Sequence, residues 1–355
     1  MKITVDCRFV GKSGIGTYIE NVVGELLMCH SQHQYLLVAN PETTIDVGCN
    51  ANVDILETDI KPFSIKELFR FPVSKINQCD AFFTPYINIP GGVKIPVYCT
   101  IHDMLFFDVG GLVSPIGKMA RRWFYKRAIK KSQKIFTVSE FSKQRIQHHF
   151  KTKKNIVVVS NGVSNRIKDY PIEKCIEKED YFIYVGNVKP HKGLKTLITA
   201  FVEARKEGLK SKLLIVGNAK KFRTADKTIY NLVADEDSIS FTGWVSDEEL
   251  IKYISRAKAL ILPSMYEGFG IPPLEALYLG TPTIVSDIPV LKEKYQNLPV
   301  TFFHVGNHED LKNKLLDCSN TIETIADVRR MVDEKYSFTH SVDVILSVIR
   351  KDLGL

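Results

Sequence analysis

The sequence predicts an α/β protein made of two doubly wound, Rossmann-like domains. Three observations carry that reading. The chain has 355 residues, which suits two α/β domains better than one. Short apolar runs rich in β-branched and aromatic residues alternate with helical stretches from end to end. These runs are continuous rather than alternating, the pattern of strands covered on both faces in a parallel sheet.

In order, the first-half strands are Lys2–Asp6, Tyr35–Ala39, Val53–Leu56, Ala81–Thr84, Val97–Ile101, Lys134–Val138 and Ile156–Val159. In the second half they are Tyr181–Val185, Lys212–Val216, Ser238–Thr242, Ala259–Leu262, Pro282–Val285 and Val300–Phe303. Helices between them give repeated βαβ units. The charged stretch Asn165 to Asp180 is the linker, so the domains are residues 1–165 and 166–337. Phe338 to Leu355 reads as an amphipathic helix with no strand after it. Two such sheets put a cleft at the carboxyl ends of their strands, so the loops that follow strands are where chemistry belongs.

Apolar content of 45% and charged content of 25% describe an ordinary globular chain. No apolar run reaches the roughly 20 residues that span a bilayer. The start, Met1 to Asp6, is a buried strand flanked by a charge rather than a signal peptide. Seven cysteines, scattered and with no C-x-x-C pair, indicate reduced cytosolic thiols and argue against structural zinc. A net charge of +8 implies an acidic partner, without choosing among phosphate, anionic lipid and nucleic acid.

The most informative segment is Glu267-Gly-Phe-Gly-Ile-Pro-Pro-Leu-Glu275. It follows the strand Ala259–Leu262 and enters a short helix, Pro273 to Leu279, with Gly280 past its end. Bare backbone N–H groups at a positive helix terminus thus lie between two carboxylates. Amides hold phosphate and acids hold sugar hydroxyls, and a nucleotide sugar offers both groups. Glu275 also suits a first helical turn on stability grounds alone. The Gly-Phe-Gly turn with two prolines has no such simple reading.

Three further loops bear on chemistry. Gly11 to Tyr18 is a glycine-rich strand-to-helix loop. Gly14 and Gly16 match part of the dinucleotide fingerprint, but Ile19 breaks it and the loop is too long. It is either a flexible turn or a close backbone approach to an anion. His102, at the end of a core strand, is either a structural histidine held by Asp103 or a group for proton transfer or sugar binding. In the loop Gly186-Asn187-Val188-Lys189-Pro190-His191-Lys192-Gly193, Lys192 sits where a helix begins. Its ammonium can neutralise a departing diphosphate, with Lys189 and His191 as alternatives; otherwise this is a solvated basic loop.

Gly117 to Lys134 reads as a basic helix with Lys118, Arg121, Arg122 and Lys126 among its cations and an apolar stripe of Ile116, Ala120, Trp123 and Phe124. It is either a solvated face, a surface for anionic lipid headgroups or an attractor for a polyanionic acceptor. Asp235-Glu236-Asp237 matches a metal-binding D-x-D but sits in a polar turn. His148-His149 reads as surface.

Together these residues resemble the retaining glycosyltransferases of family 4, which have the GT-B fold. The resemblance covers nearly the whole chain. "SMYEGFGIPPLEALYLGTPTIVSD" is its most specific part, and "VGNVKPHKG", "FTGWVSDEEL", "TIHDM", "FTVSEFSKQRI" and "VSNGV" accompany it. The opening "DCRFVGKSGIGTY" resembles the subgroup that contains bacterial O-antigen mannosyltransferases.

The resemblance implies that Glu267 lies near the donor sugar's hydroxyls and Glu275 binds the ribose. The amides of Phe269, Gly270 and Ile271 meet sugar and phosphates. Lys192 binds the diphosphate, Gly16 approaches it beside Gly14, and His102 contacts the transferred sugar. Gly186, Asn187, Lys189 and Gly243 complete the donor set. The family often has an arginine where this chain has Asn187, and Lys189 or Arg145 is the candidate replacement. The terminal helix is expected to cross back onto the first domain.

The expected activity is retaining hexosyl transfer, best fitted by mannose from GDP-mannose, to a glycan or lipid-linked acceptor in cell-surface polysaccharide synthesis. UDP and dTDP donors stay open. No metal or other cofactor and no nucleic-acid partner is expected. The expected location is cytoplasmic, peripheral on an anionic inner membrane face. The rivals are an epimerase on the same fold, a Rossmann oxidoreductase and a catalytically silent scaffold of a polysaccharide assembly complex.

Overall fold

The computed structural model describes all residues except 12, 49–50, 172–177, 218–232, 234–235 and 319–323. The chain forms two compact units, Met1–Asn161 with Ser337–Leu355, and Gly162–Tyr336.

The first unit holds seven strands: β1 (Lys2–Asp6), β2 (Gln34–Ala39), β3 (Val53–Glu57), β4 (Ala81–Thr84), β5 (Val97–Thr100), β6 (Ser132–Thr137) and β7 (Ile156–Val158). They form one sheet in the order β3-β2-β1-β4-β5-β6-β7, and every neighbouring pair is parallel. The order reverses between β1 and β4, so the loops after these strands diverge and leave room for a ligand.

On one face of this sheet lies α1 (Ser13–Cys29), whose Tyr18, Ile19, Val22, Val23, Leu26 and Leu27 pack on Ile3 and Val5. The C-terminal helix Phe338–Leu353 joins the same core through Phe338, Val342, Ile345, Leu346 and Ile349. Thr339 Oγ1 donates to Glu25 Oε2 at 2.8 Å, tying that helix to α1. The polar spine between its apolar positions is why it reads as amphipathic in sequence.

Three further helices belong to this unit. α2 (Ile65–Phe69) is capped by Ser64, and α3 (Pro115–Lys131) by Ser114, whose Oγ accepts from the Gly117 amide at 3.1 Å. α4 (Glu140–Phe150) follows β6. The basic helix therefore begins two residues before the predicted Gly117, because Pro115 fits its first turn and Ser114 caps it. It also ends earlier, and Lys134 lies in β6. Its buried face is Tyr125, Ala128 and Ile129 rather than the predicted stripe, of which Ile116 and Trp123 stay exposed.

The second unit holds β8 (Tyr181–Val185), β9 (Lys212–Val216), β10 (Ile239–Phe241), β11 (Ala259–Leu262), β12 (Thr283–Ser286) and β13 (Val300–Phe303). The order is β10-β9-β8-β11-β12-β13, again all parallel, with its reversal between β8 and β11. α5 (Leu194–Lys206) buries Leu194, Leu197, Ile198, Ala200, Phe201 and Ala204, a helical-period stripe. α6 (Asp247–Arg256) opens with a capping box between Ser246 and Glu249. α7 (Ile271–Tyr278) starts two residues before the predicted Pro273. Gly270 in a left-handed conformation is its N-cap, and Pro272 and Pro273 fill its first turn.

Candidate functional site

The loops after β8 and β11 leave neighbouring strands at the reversal of the second sheet. The β8 loop runs from Gly186 through a single 3₁₀ turn, Pro190–Lys192, to Gly193. Gly193 has φ +68°, and a Cβ there would lie 1.9 Å from the Pro263 carbonyl oxygen. Only glycine allows the two loops this close. The Met265 amide donates to the His191 carbonyl at 2.8 Å and fastens them together.

This stitching brings Lys192 Nζ within 2.7 Å of Glu267 Oε1. Ser264 Oγ donates to the same oxygen at 2.7 Å, and Ser286 Oγ donates to the Ser264 carbonyl. Both members of the ion pair keep limited solvent access, 22% for Lys192 and 11% for Glu267. Glu267 Oε2 has no hydrogen-bond partner among the described residues. Ser264 lies inside the motif that singled out Glu267, yet nothing in its residue type distinguished it there.

The segment from Glu267 to α7 is held by packing rather than by side-chain capping. The Phe269 ring is buried, edge-on to Tyr336 at 5.7 Å, so only the backbone of Phe269 faces chemistry. Gly270 has φ +86°, and an added Cβ would meet Leu291 at 2.6 Å. The buried Tyr295 hydroxyl donates to the Gly270 carbonyl. Among the described residues the amides of Phe269, Gly270 and Ile271 donate to no protein acceptor, and no side chain caps α7. Such amides at a helix N-terminus favour an anion.

Glu275 stands in α7, half-buried, and its carboxyl makes no hydrogen bond among the described residues. Burial pushes its carboxyl up to about 7. A carboxyl whose ionisation is held back only by lack of a partner is a candidate ligand group.

The rest of the predicted donor set is spread along the same loops. Gly186 and Asn187 follow β8, and the Tyr184 hydroxyl fixes their turn by donating to the Asn187 carbonyl at 3.0 Å. Asn187 and Lys189 are exposed. His191 does not serve as a phosphate cation. It is 5% exposed, and burial and the nearby Lys192 lower its pKa to about 4, so it is neutral. Gly243 has φ +76° with open space around it. Beside it Trp244 is 89% exposed, an aromatic group that the sequence reading passed over. Asp235 of the D-x-D pattern lies outside the described residues. Among the described residues no group of His, Cys, Asp and Glu has the arrangement of a metal site.

In the first unit, Gly14 and Gly16 lie in the first turn of α1. Gly14 faces open space, whereas a Cβ on Gly16 would lie 2.6 Å from the Phe9 carbonyl. Gly16 is thus required by the fold of its own loop. His102 Nε2 lies 2.8 Å from the Pro85 carbonyl, so that nitrogen carries the proton and Nδ1 keeps a lone pair. Asp103 does not hold it: Asp103 Oδ1 accepts from the Leu105 amide at 3.0 Å instead. Burial lowers the His102 pKa to about 4, and its ring stands edge-on to Tyr18 at 4.8 Å.

Arg145 is not available as the missing phosphate arginine. Its Nε donates to both Asp108 oxygens at 3.1 and 3.0 Å, and His149 Nε2 meets Asp108 Oδ1 at 2.6 Å. His149 therefore belongs to this cluster, while His148 is on the surface. On α3, Arg121 is half-buried over the Phe106 ring at 4.2 Å. Lys118 Nζ reaches the Phe107 carbonyl at 3.4 Å, Arg122 donates to the His149 carbonyl at 3.3 Å, and Lys126 is exposed.

Two doubly wound units with parallel sheets are the architecture of the GT-B fold, and comparison with known proteins agrees. Residues 165–327 match the family model described as Glycosyl transferases group 1, and residues 65–165 match Glycosyltransferase Family 4. Both models are of glycosyltransferases, and the two matches adjoin at residue 165.

The chain is similar to the O-antigen chain mannosyltransferase RfbU of Salmonella typhimurium. The two are 35% identical over 201 residues, 56% of this chain and 54% of that one. It is 30% identical to O-antigen chain mannosyltransferase B of Escherichia coli over 171 residues, 45% of this chain and 44% of that one. It spans about half the length of these curated relatives. Among solved structures, Anabaena HepE in complex with UDP and glucose has a TM-score of 0.75 at 14% identity, covering 99% of this chain and all of that one. Sucrose-phosphate synthase from Thermosynechococcus elongatus has a TM-score of 0.76 at 14% identity, covering 100% and 99%. These two share the fold. Among the described residues no helix is long and apolar enough to cross a membrane.

Proposed function

We propose that this protein transfers a hexose from a nucleotide diphosphate sugar to a hydroxyl of a glycan or lipid-linked acceptor, with retention at the anomeric carbon. The observation that carries the reading is the Lys192–Glu267–Ser264 cluster beside the free amides of Phe269 to Ile271 and the unpartnered Glu275. It offers a cation and amides for a diphosphate, one carboxylate for sugar hydroxyls and another for a ribose.

In the reaction the bond from C1 to the β-phosphate oxygen breaks. The acceptor oxygen bonds to C1 on the same face, and its proton passes to the departing phosphate oxygen. Lys192 and the amides stabilise the charge that grows on that oxygen, the kind of fixed electrostatic support that dominates many enzymes. Lys192 leaves Glu267 for the diphosphate, and Glu267 then takes sugar hydroxyls. In the first unit His102, neutral and with a lone pair on Nδ1, has the chemistry to accept from a hydroxyl. The charge on the diphosphate is met without a metal ion. Mannose from GDP-mannose is our preferred donor, supported by the names of RfbU and mannosyltransferase B, and the acceptor is a cell-surface polysaccharide intermediate. The basic face of α3 fits a peripheral location on anionic lipid.

A thermal-shift panel of nucleotides and nucleotide sugars, each with and without EDTA, tests this. A ligand at 100 times its dissociation constant adds about 2.7 kcal/mol of stability. GDP-mannose should raise the transition most, unchanged by EDTA. A shift with NAD and none with any nucleotide sugar would refute the proposal, and conversion of the donor sugar without acceptor would indicate an epimerase.

A further inference from the structure

At the carboxyl end of β1 the first unit buries an ion network that the donor chemistry does not use. Arg8 Nε donates to Asp6 Oδ1 at 2.9 Å, and Arg8 Nη2 donates to Asp6 Oδ2 and to Glu67 Oε1. The other Glu67 oxygen accepts from the amide of Phe63, whose φ of +63° a bulky residue rarely adopts. Asn88 Nδ2 donates to Asp6 Oδ2 at 2.7 Å, and Asn88 Oδ1 accepts from Thr84 Oγ1 at 3.3 Å. Asp6, Arg8, Glu67, Thr84 and Asn88 are all at most 2% exposed. Burying such a network gives little net stability, so its effect is on geometry.

What it holds is the loop after β4, from Pro85 to Pro90. Among the described residues the amides of Tyr86, Ile87, Asn88 and Ile89 donate to no backbone acceptor. A buried segment without backbone pairing needs side chains to place it. Thr84 and Asn88 clasp the first half of the loop, and Asp6 anchors the clasp. Arg127 of α3 donates to the Ile89 and Pro90 carbonyls, and the Gly91 amide donates to the Glu67 carbonyl at 2.9 Å.

This loop is also what His102 touches. The Pro85 carbonyl lies 2.8 Å from His102 Nε2, and the Tyr86 ring is 6.2 Å from the imidazole. Tyr18 stands edge-on to the same ring at 4.8 Å, and Ser142 Oγ donates to the His102 carbonyl at 2.9 Å. A neutral imidazole has two tautomers. The hydrogen bond made by one nitrogen decides which atom keeps the lone pair. A hydrogen bond of this kind is lost when its partner moves by about 1 Å. The choice of tautomer at His102 therefore depends on where the clasp holds Pro85.

We propose that Asp6, Arg8 and Asn88 are positioning residues for His102: through the Pro85 carbonyl they keep its proton on Nε2 and its lone pair on Nδ1. What that lone pair does in turnover rests on the transferase reading above, but the tautomer does not.

The test is NMR of the full chain with isotope-labelled histidine, with His102 assigned by its loss in His102→Gln. Wild type should show one His102 tautomer, protonated at Nε2, with a proton that exchanges slowly with solvent. Asn88→Leu leaves Asp6 paired with Arg8 and should speed that exchange at least tenfold. Thr84→Val, a milder change that removes one hydrogen bond of the clasp, should speed it at least threefold. The signal of His149, held by Asp108, should stay as in wild type in both. Both variants should keep the GDP-mannose thermal shift, while donor turnover falls at least tenfold in Asn88→Leu. Absence of turnover in wild type would remove the transferase reading and leave the tautomer result standing. A His102 proton as protected in both variants as in wild type would overturn the proposal. So would a wild-type His102 protonated at Nδ1, or an equal loss of protection at His149, which would mark general loosening. Normal turnover in a variant whose His102 proton is freed would overturn the link to catalysis.

Discussion

Lys192 Nζ and Glu267 Oε1 meet at 2.7 Å although 75 residues separate them in the chain. The meeting follows from topology, because β8 and β11 are neighbours and their loops open at the same end of the sheet. Each side chain neutralises the other, so neither is stored as an uncompensated charge before substrate arrives. We expect Lys192→Ala to lower kcat by about 10²–10³-fold, the usual loss when one electrostatic contact to the transition state is removed. Glu267→Gln should lower it strongly as well. Circular dichroism should show both folded, and steady-state turnover near wild type in either would remove that residue's role.

Glu275 carries a pH signature. Its carboxyl is raised to about 7 by burial, so in the free protein it is largely protonated below neutrality. If the ribose hydroxyls need the carboxylate, nucleotide affinity must rise with pH through about 7. Titrations between pH 6 and 8, values spanning about one unit either side of that midpoint, should show this rise in wild type and a flat profile in Glu275→Gln. A flat wild-type profile would contradict the assignment.

Two histidines, the half-buried His102 and the buried His191, act on acid stability. His102 and His191 both have pKa values lowered to about 4, against 6.5 unfolded. The unfolded chain therefore takes up protons first. The stability they contribute is complete above pH 6.5 and is lost as pH falls toward 4, at up to about 1.4 kcal/mol per unit for each. Glu275 opposes this, since its raised pKa makes stability fall as pH rises from 4.5 to 7. In urea unfolding, the stability of wild type relative to His191→Gln should drop as pH falls from 6.5 to 4. A difference independent of pH would show that His191 titrates normally.

Gly193 is where the loops after β8 and β11 touch. With φ +68° and Pro263 1.9 Å from any added Cβ, Gly193→Ala must push the loops apart. We expect a loss of about 2 kcal/mol or more in stability. Turnover should fall with it, because the Lys192–Glu267 spacing depends on the contact. Unchanged stability in chemical denaturation would mean the loops relax freely.

Much of the fold was legible because buried parallel strands leave unbroken apolar runs. All thirteen predicted runs overlap strands, and the two sheets divide them as seven and six. The paired acids were legible for a similar reason, since Gly270 and two prolines have few uses outside a strained helix entry. What stayed hidden depends on contacts distant in sequence. Ser264 gains its role only by lying 2.7 Å from Glu267. His102 is oriented by the Pro85 carbonyl, and Arg145 is consumed by Asp108, neither of which adjoins it in the chain. The edges of α3 and α7 shifted because capping is decided by backbone geometry at Ser114 and Gly270.

The central claim is that the loops of the second unit bind a nucleotide diphosphate sugar. Calorimetric titration of GDP-mannose and the corresponding UDP and dTDP sugars into wild type and Glu275→Ala tests it most directly. We predict saturable one-to-one binding of at least one of these donors to wild type, weakened tenfold or more in Glu275→Ala. Absence of binding for every donor, or equal affinity in both proteins, would contradict the account.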